Sequence, residues 1–389
     1  MHDVSHALVL PFDRDLLPFP GRAFLMRAEP AEAFTAEWKA VLTCEQSFKP
    51  AFDALAAAGF TAVPRLECDD NSLARPRAGL LSESPSNLLI RGGLSLQVGS
   101  QGDSTCKHPA LAGRFPAGLL LLTKHKAENR ANLVRAWSLL EPGGLLVACG
   151  ANAIGAASFE REVDKAVVLE GHLSKHQART FWLRRQGEEM PPALVDWQKA
   201  ARPAPVGDTG LVARAGCFSP DHADTGSRVL ADCFPDGVMG RVADLGAGWG
   251  YLGARLLHRF AAITELDSYE AEALALEDAR ANLDAIDHGA ARSYHWQDVA
   301  AGLPEVAPYD WIVSNPPFHE GARADPAIGR AFIAAAWKAI RRRGKVLLVA
   351  NQHLPYEAEL RKRFRDVELL RVAEGFKVYQ ASNRVDHVR

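Results

Sequence analysis

The sequence predicts an α/β protein of two domains, each a mainly parallel sheet with helices on both faces. Three observations point there: the length, an alternation of strand-like apolar runs with Ala/Leu-rich helical stretches, and a glycine-rich turn between a strand and a helix. At 389 residues the chain is about twice the usual domain length, so two separate cores are expected. With 48% hydrophobic and 24% charged residues, the composition is globular rather than disordered or fibrous.

In the first half, strand-length apolar runs at Leu119 to Leu122 and Leu145 to Gly150 flank a helical segment from Ala127 to Leu140. Glu141, Pro142, Gly143 and Gly144 stop that helix. Strand, helix, turn and strand make a βαβ unit. The polar, proline-bearing stretch after Arg184 and Arg185 reads as a linker, dividing the chain into domains 1–200 and 201–389.

In the second half, strands are expected at Arg241 to Leu245, Ala262 to Asp267, Tyr309 to Ser314 and Lys345 to Ala350. Helices are expected at Tyr251 to Phe260, Tyr269 to Ile286 and Ile328 to Arg342. This alternation predicts a doubly wound parallel sheet. Near the end, two short apolar runs joined by Glu374 and Gly375 predict an antiparallel hairpin at one sheet edge. Both halves carry a βαβ unit with a glycine-turn strand, which suggests a duplication.

Several classes are argued against. No stretch approaches the roughly 20 apolar residues of a membrane helix, and the first residues lack the basic start and cleavage site of a secretory signal, so a cytoplasmic, membrane-free protein is expected. The six cysteines form no CxxC or Cys/His quartet, so neither a disulfide framework nor a metal site is expected. A net charge of −2 gives no global attraction to nucleic acid. Basic surface is confined to clusters such as Arg341, Arg342, Arg343 with Lys345, and Arg361, Lys362, Arg363 with Arg365, which also read as solvated helix ends.

The glycine turn runs Asp244, Leu245, Gly246, Ala247, Gly248, Trp249, Gly250. In an open α/β sheet, ligands bind at the carboxyl ends of the strands, where glycines let the backbone come close. Asp244 at the strand end would repel a pyrophosphate but attract the cationic amino-acid part of S-adenosylmethionine. Gly246, Ala247, Gly248 and Gly250 are therefore expected to line a site for that cofactor. Asp267, at the end of the next expected strand, is the candidate acceptor for the ribose hydroxyls, preferred over Glu265. Asp298 is the candidate for the adenine amino group, or else a helix N-cap.

The second motif is Ser314, Asn315, Pro316, Pro317, Phe318, directly after an apolar strand. Two prolines stiffen the loop and remove two donors, leaving acceptors. An exocyclic amine on a base ring is a poor nucleophile. The Asn315 side-chain oxygen and the Pro316 carbonyl would accept its N–H groups and aim its lone pair at the methyl donor, without a strong base. Phe318 is the expected stacking platform for a flipped-out base.

With these residues in view, the sequence resembles the bacterial ribosomal RNA guanine-N2 methyltransferases, the small-subunit methyltransferase C type and its large-subunit relative. The likeness rests on CysPheSerPro (217–220) with Gly226, Ser227, Val229 and Leu230, on the glycine turn, and on SerAsnProProPheHisGluGly (314–321). AlaAsnGlnHisLeuProTyr (350–356) and GlyPheLysValTyr (375–379) complete it. The resemblance implies two tandem Rossmann-like methyltransferase domains, S-adenosylmethionine as cofactor, and methylation of ribosomal RNA, 16S favoured over 23S. It implies that the first domain is a degenerate copy that binds no cofactor and instead supports folding of its partner and grips RNA, with Lys124, Lys126, Lys175 and His176 as candidates for the grip. It also places Phe218, Pro317 and His319 against substrate or cofactor. A monomer acting on ribosomal RNA or a ribosomal subunit is expected. Other amino acceptors (adenine N6, cytosine N4, protein glutamine) and a noncatalytic RNA-binding assembly factor are the competing readings.

Overall fold

The computed structural model describes residues 4–66, 114–317, 319–320, 323–324 and 326–386, with the side chains of 319–324 excepted. The chain opens with α1 (Val4–Asp13), β1 (Ala23–Met26), α2 (Ala36–Val41), β2 (Leu42–Glu45), α3 (Lys49–Ala57) and β3 (Thr61–Val63). It continues with β4 (Phe115–Leu121), α4 (Lys126–Leu139), β5 (Leu140–Ala151), α5 (Ala156–Ala166), β6 (Gly171–Lys175) and β7 (Ala178–Arg184). Then come α6 (Pro192–Ala200), a small hairpin of β8 (Ala204–Pro205) and β9 (Val212–Ala213), and α7 (Thr225–Asp232). The second unit follows with β10 (Gly240–Leu245), α8 (Tyr251–Arg259), β11 (Ile263–Glu270), α9 (Ala273–Asp284), β12 (Ala291–Trp296) and β13 (Tyr309–Ser314). After the short ribbon β14 (His319–Glu320) and β15 (Arg323–Ala324), the chain ends with α10 (Pro326–Ala339), β16 (Ile340–Asn351), α11 (Tyr356–Arg363), β17 (Phe364–Ala373) and β18 (Phe376–Arg384).

These strands form two seven-stranded sheets of one topology, β3-β2-β1-β4-β5-β7-β6 and β12-β11-β10-β13-β16-β18-β17. In each, the first five strands are parallel and the last two pairings are antiparallel, so that only β7 or β18 runs against the rest. Each sheet buries an apolar layer on both faces, as an alternating α/β chain must. The hairpin turn at Glu374 and Gly375, both at positive φ, joins β17 to β18 at the sheet edge, as expected.

The register makes the duplication explicit. Met26 pairs with Glu45 and Leu120, and Leu245 pairs with Tyr269 and Ser314. Leu25 thus stands where the second unit has Asp244, Gln46 where it has Glu270, and Leu121 where it has Asn315. The first copy carries an apolar residue or an uncharged amide at each of these three positions.

Four expectations need correction. β11 runs on to Glu270 rather than ending at Asp267, because Tyr269 is fully buried in the sheet and Glu270 pairs with Trp296; the helix expected from Tyr269 begins only at Ala273. The strand β12 was not foreseen, since Ala291–Trp296 at the sheet edge mixes polar and apolar residues without a clear run. α10 stops at Ala339, and Ile340 to Arg342 join β16. The linker stretch contains a helix, α6, whose Leu194 is buried in the first core, while Val206 joins the second.

The two units meet through the loops that follow β2 and β11. Phe48 and Glu272 form an antiparallel bridge, in which the Lys49 amide donates to the Ala271 carbonyl at 2.8 Å and the Ala273 amide to the Ser47 carbonyl at 2.9 Å. The Trp296 indole N–H is shared by the Ser47 and Ala271 carbonyls, at 2.9 and 2.8 Å, and Phe52 meets its ring edge-on at 4.9 Å. Charges continue the seam: Arg27 lies between Glu128 and Glu272, and Arg65 and Arg214 both reach Glu277.

Candidate active site

The carboxyl edge of the second sheet gathers the glycine turn and the proline loop. β10 delivers Asp244 and Leu245 into the turn, where the Gly246 and Ala247 amides donate to the Tyr269 carbonyl at 2.9 and 3.0 Å. The Gly248 amide donates to Glu270 Oε2 at 2.7 Å. Gly250, at φ +91°, caps α8, and a Cβ there would lie 3.2 Å from the Ala279 backbone. Glycine is required here twice over, by the left-handed backbone and by the closeness of α9.

Asp244 is fully buried, and neither carboxylate oxygen has a hydrogen-bond partner. Burial pushes its carboxyl up to about 7; the nearby Gly253 amide opposes this and the neighbouring Glu270 charge adds to it. The Ser268 hydroxyl, opposite Asp244 in register, is also buried and without a partner. A buried carboxylate left unpaired is costly, and this one is fitted to receive a cationic group.

Side chains alternate along a strand, so Asp244, Ser268, Glu270 and Asn315 lie on one face of the sheet, the face covered by α7 and α8. Asp267 lies on the other. It accepts a 2.5 Å hydrogen bond from the Tyr309 hydroxyl, which meets that of Tyr269 at 2.7 Å, and it is 3.2 Å from Arg241 and 4.0 Å from His295. Asp267 is therefore a core charge centre three residues short of the strand end, on the face opposite Asp244, whereas Glu270 stands at the strand end on the face of Asp244. Glu270 is clamped by two amides, Gly248 on Oε2 and Glu272 on Oε1 at 2.9 Å. Burial raises its carboxyl pKa, outweighing those amides. The signal that would have found it is the helical period, which begins only at Ala273.

Ser314 ends β13 by donating to the Leu245 carbonyl at 2.7 Å, tying the proline loop to the glycine turn. Asn315 follows, and its amide nitrogen donates to Asp224 Oδ2 at 2.8 Å and to the Ser227 hydroxyl at 2.9 Å. Both nitrogen hydrogens are thus engaged, which leaves Oδ1 as an acceptor. Asp224 also caps α7 through the Ser227 amide. Asp224 was missed in the sequence, although its neighbours Gly226 and Ser227 belong to one of the motifs that carry the family resemblance. Pro316 is buried and Pro317 exposed. Phe318 lies outside the described residues, as does the side chain of His319.

Asp298 follows β12 and caps a short 3-10 turn by accepting from the Ala300 amide at 2.9 Å, the alternative role noted for it, at the same edge of the sheet. Phe218 is 59% exposed, and its carbonyl accepts from the Trp249 indole at 3.0 Å, which ties it to the glycine turn. In the first unit, Lys124, Lys175 and His176 are exposed, and Lys126 pairs with Glu162. Half of the cations in the C-terminal basic clusters are paired: Arg341 with Asp310, Arg361 with Glu357, and Lys362 and Arg363 with Glu359. Among the described residues, no helix is long and apolar enough to cross a membrane, and no group of three His, Cys, Asp or Glu is arranged to hold a metal.

The family described as Methyltransferase small domain matches residues 208–380. A ribosomal RNA small subunit methyltransferase C of Actinobacillus pleuropneumoniae serotype 7 (strain AP76) is 32% identical over 264 residues, covering 67% of this chain and 77% of the relative. The chain belongs to the ribosomal RNA small subunit methyltransferase C family. Another methyltransferase C, of Photobacterium profundum, is 29% identical over 275 residues, 70% of this chain and 79% of that one. Among solved structures, a T. thermophilus 16S rRNA N2 methyltransferase, in complex with AdoMet and guanosine, is 24% identical with a TM-score of 0.67, covering 98% of this chain and 92% of that one. The tandem pair of Rossmann-like methyltransferase sheets is therefore the architecture of methyltransferase C along nearly its whole length.

Proposed function

We propose that this chain transfers the methyl group of S-adenosylmethionine to the exocyclic N2 of a guanine in 16S ribosomal RNA. It is a member of a methyltransferase family, and the observation that carries the reading is Asn315, whose amide nitrogen is engaged by Asp224 and Ser227 so that its oxygen remains as the acceptor. S-adenosylmethionine, when bound, supplies an electrophilic methyl on a sulfonium. The buried, unpartnered carboxylate of Asp244 fits its amino-acid ammonium, and Glu270 would accept its ribose hydroxyls. Gly246, Ala247, Gly248 and Gly250 let the backbone close around it, and Asp298 stands near the adenine end. Asn315 Oδ1 and the Pro316 carbonyl would hold the two N–H groups of the guanine amine, orient its lone pair, and stabilise the positive charge that develops on nitrogen. Phe318, with Pro317, His319 and Phe218, would form the base-binding rim. Residues 1–200, stripped of the polar site groups, would hold RNA through surface cations such as Lys124, Lys126, Lys175 and His176. The reading makes the protein cytoplasmic and monomeric.

The test is transfer of labelled methyl to small subunits and to free 16S RNA from cells lacking the protein, with Asn315→Ala in parallel. Label in N2-methylguanosine, lost in the variant, is the expected result. Label in methylated adenine, cytosine or glutamine would move the acceptor, and no label with cofactor binding intact would reject RNA as the substrate.

A further inference from the structure

Glu270 is clamped between two backbone amides of different provenance. The Gly248 amide belongs to the glycine turn. The Glu272 amide belongs to the segment Ala271–Ala273, and that segment is held along its length by the first unit. Its flanking peptides exchange hydrogen bonds with Ser47 and Lys49, its first carbonyl receives the Trp296 indole together with that of Ser47, and the Glu272 carboxylate is 3.5 Å from Arg27. The direction in which the Glu272 N–H points is therefore set by residues more than 200 positions earlier in the chain.

We propose that the first unit positions the ribose-binding carboxylate of the second through the backbone bridge of Ser47–Lys49 to Ala271–Ala273. This rests on the reading of Glu270 given above and adds a task for the degenerate half that its lost site groups do not perform. Lys49 and Ser47 are positioning residues: they touch no substrate and act through the Glu272 amide. The same internal contact recurs in the first copy, where the Phe48 amide donates to Gln46 Oε1 at 3.0 Å, so each loop carries the same hydrogen bond within itself.

Lys49 is the first residue of α3, with Pro50 behind it and Phe48 extended at φ −86°, ψ 114°. Proline is accepted at such a position, and the preceding residue already has the conformation it demands. Lys49→Pro thus deletes the donor to Ala271 while leaving α3 intact, and Lys49→Ala, which keeps the amide, is its reference. Trp296→Phe removes the shared indole N–H and keeps the ring against Phe52. Binding of S-adenosylhomocysteine and of its 2′,3′-dideoxy analogue is measured calorimetrically for the full chain and each variant. The expected result is that Lys49→Pro binds S-adenosylhomocysteine roughly two- to tenfold more weakly than Lys49→Ala, and Trp296→Phe more weakly than the unaltered chain by the same factor, the range of one hydrogen bond. The dideoxy analogue should be almost unaffected, so discrimination between the two ligands shrinks. Equal weakening of both ligands, or of neither, overturns the proposal. If the unaltered chain itself fails to prefer the hydroxylated ligand, the assignment of Glu270 falls instead.

Discussion

Replacing Asp244 with asparagine removes a charge and almost nothing else, because the two side chains have the same shape. The free carboxyl ionises near 3.9, whereas in the folded protein burial raises it to about 7. A group whose folded pKa is raised stabilises fully below its unfolded pKa, and that contribution is lost as pH rises toward the folded value. Roughly three pH units at 1.36 kcal/mol each give a loss of at most about 4 kcal/mol above pH 7. About 2 kcal/mol of it falls between pH 5.5 and 7, where acid unfolding does not intrude. For a domain of this size that is roughly 4–8 °C in melting temperature. Thermal melts of the unliganded protein from pH 5.5 to 8 should show the wild type falling by that much more than Asp244→Asn, since Glu270 and all other titrating groups are common to both. Adding S-adenosylhomocysteine at pH 8 should raise the wild-type melting temperature far more than that of the variant, because its ammonium supplies the missing partner. Parallel melting curves across the pH range would refute the reasoning, as would equal stabilisation of both proteins by the ligand.

Asn315→Ala should reduce kcat by roughly 10²–10³, the loss typical of a donor or acceptor aimed at developing charge, with the KM for S-adenosylmethionine moved much less; steady-state kinetics on 16S RNA check both. Gly250→Ala forces a side chain into φ +91° against the Ala279 backbone and should cost about 1–3 kcal/mol, seen as a melting temperature lowered by several degrees. For Asp267, burial acts to raise the pKa but is outweighed by His295, Tyr309 and Arg241, so its carboxyl is held below the usual range. Its contribution is present above about pH 3.9 and is lost as pH falls through the lower folded value. Asp267→Asn should therefore be about 2 kcal/mol less stable at neutral pH and approach the wild type in acid, as urea titrations at pH 7 and pH 3 would show.

The sheet strands after which ligands bind were readable because β10 and β13 are apolar, buried on both faces and followed by glycine or proline. Asp244 and Asn315 inherit their positions from those strands. Asp267 and Glu270 were not separable in the same way: the sequence from Ile263 to Glu272 is rich in acids, and only the register with β10 shows that three residues carry the chain to the opposite face. Asp224 eluded sequence reasoning because its contact to Asn315 spans 91 positions and its local appearance is that of an ordinary helix cap. The strand β12 escaped because an edge strand needs little apolar periodicity when one neighbour holds it.

The seam between the units has a property that neither half shows alone. Lys49 is to Ala271 as Ala273 is to Ser47, and the register makes these loops equivalents, so the contact is isologous: a surface meeting its own copy about a local two-fold axis. Such a contact closes on itself and offers no free equivalent for a third unit, so tandem copies joined this way end at two. The symmetry stops at the side chains. Across the axis from the carboxylate of Glu270 stands the amide of Gln46, whose Nε2–H donates to the Ala28 carbonyl at 2.8 Å where Glu270 accepts from Gly248. One side of the axis keeps a carboxylate that only accepts, and the other has an amide that both donates to and accepts from its own backbone.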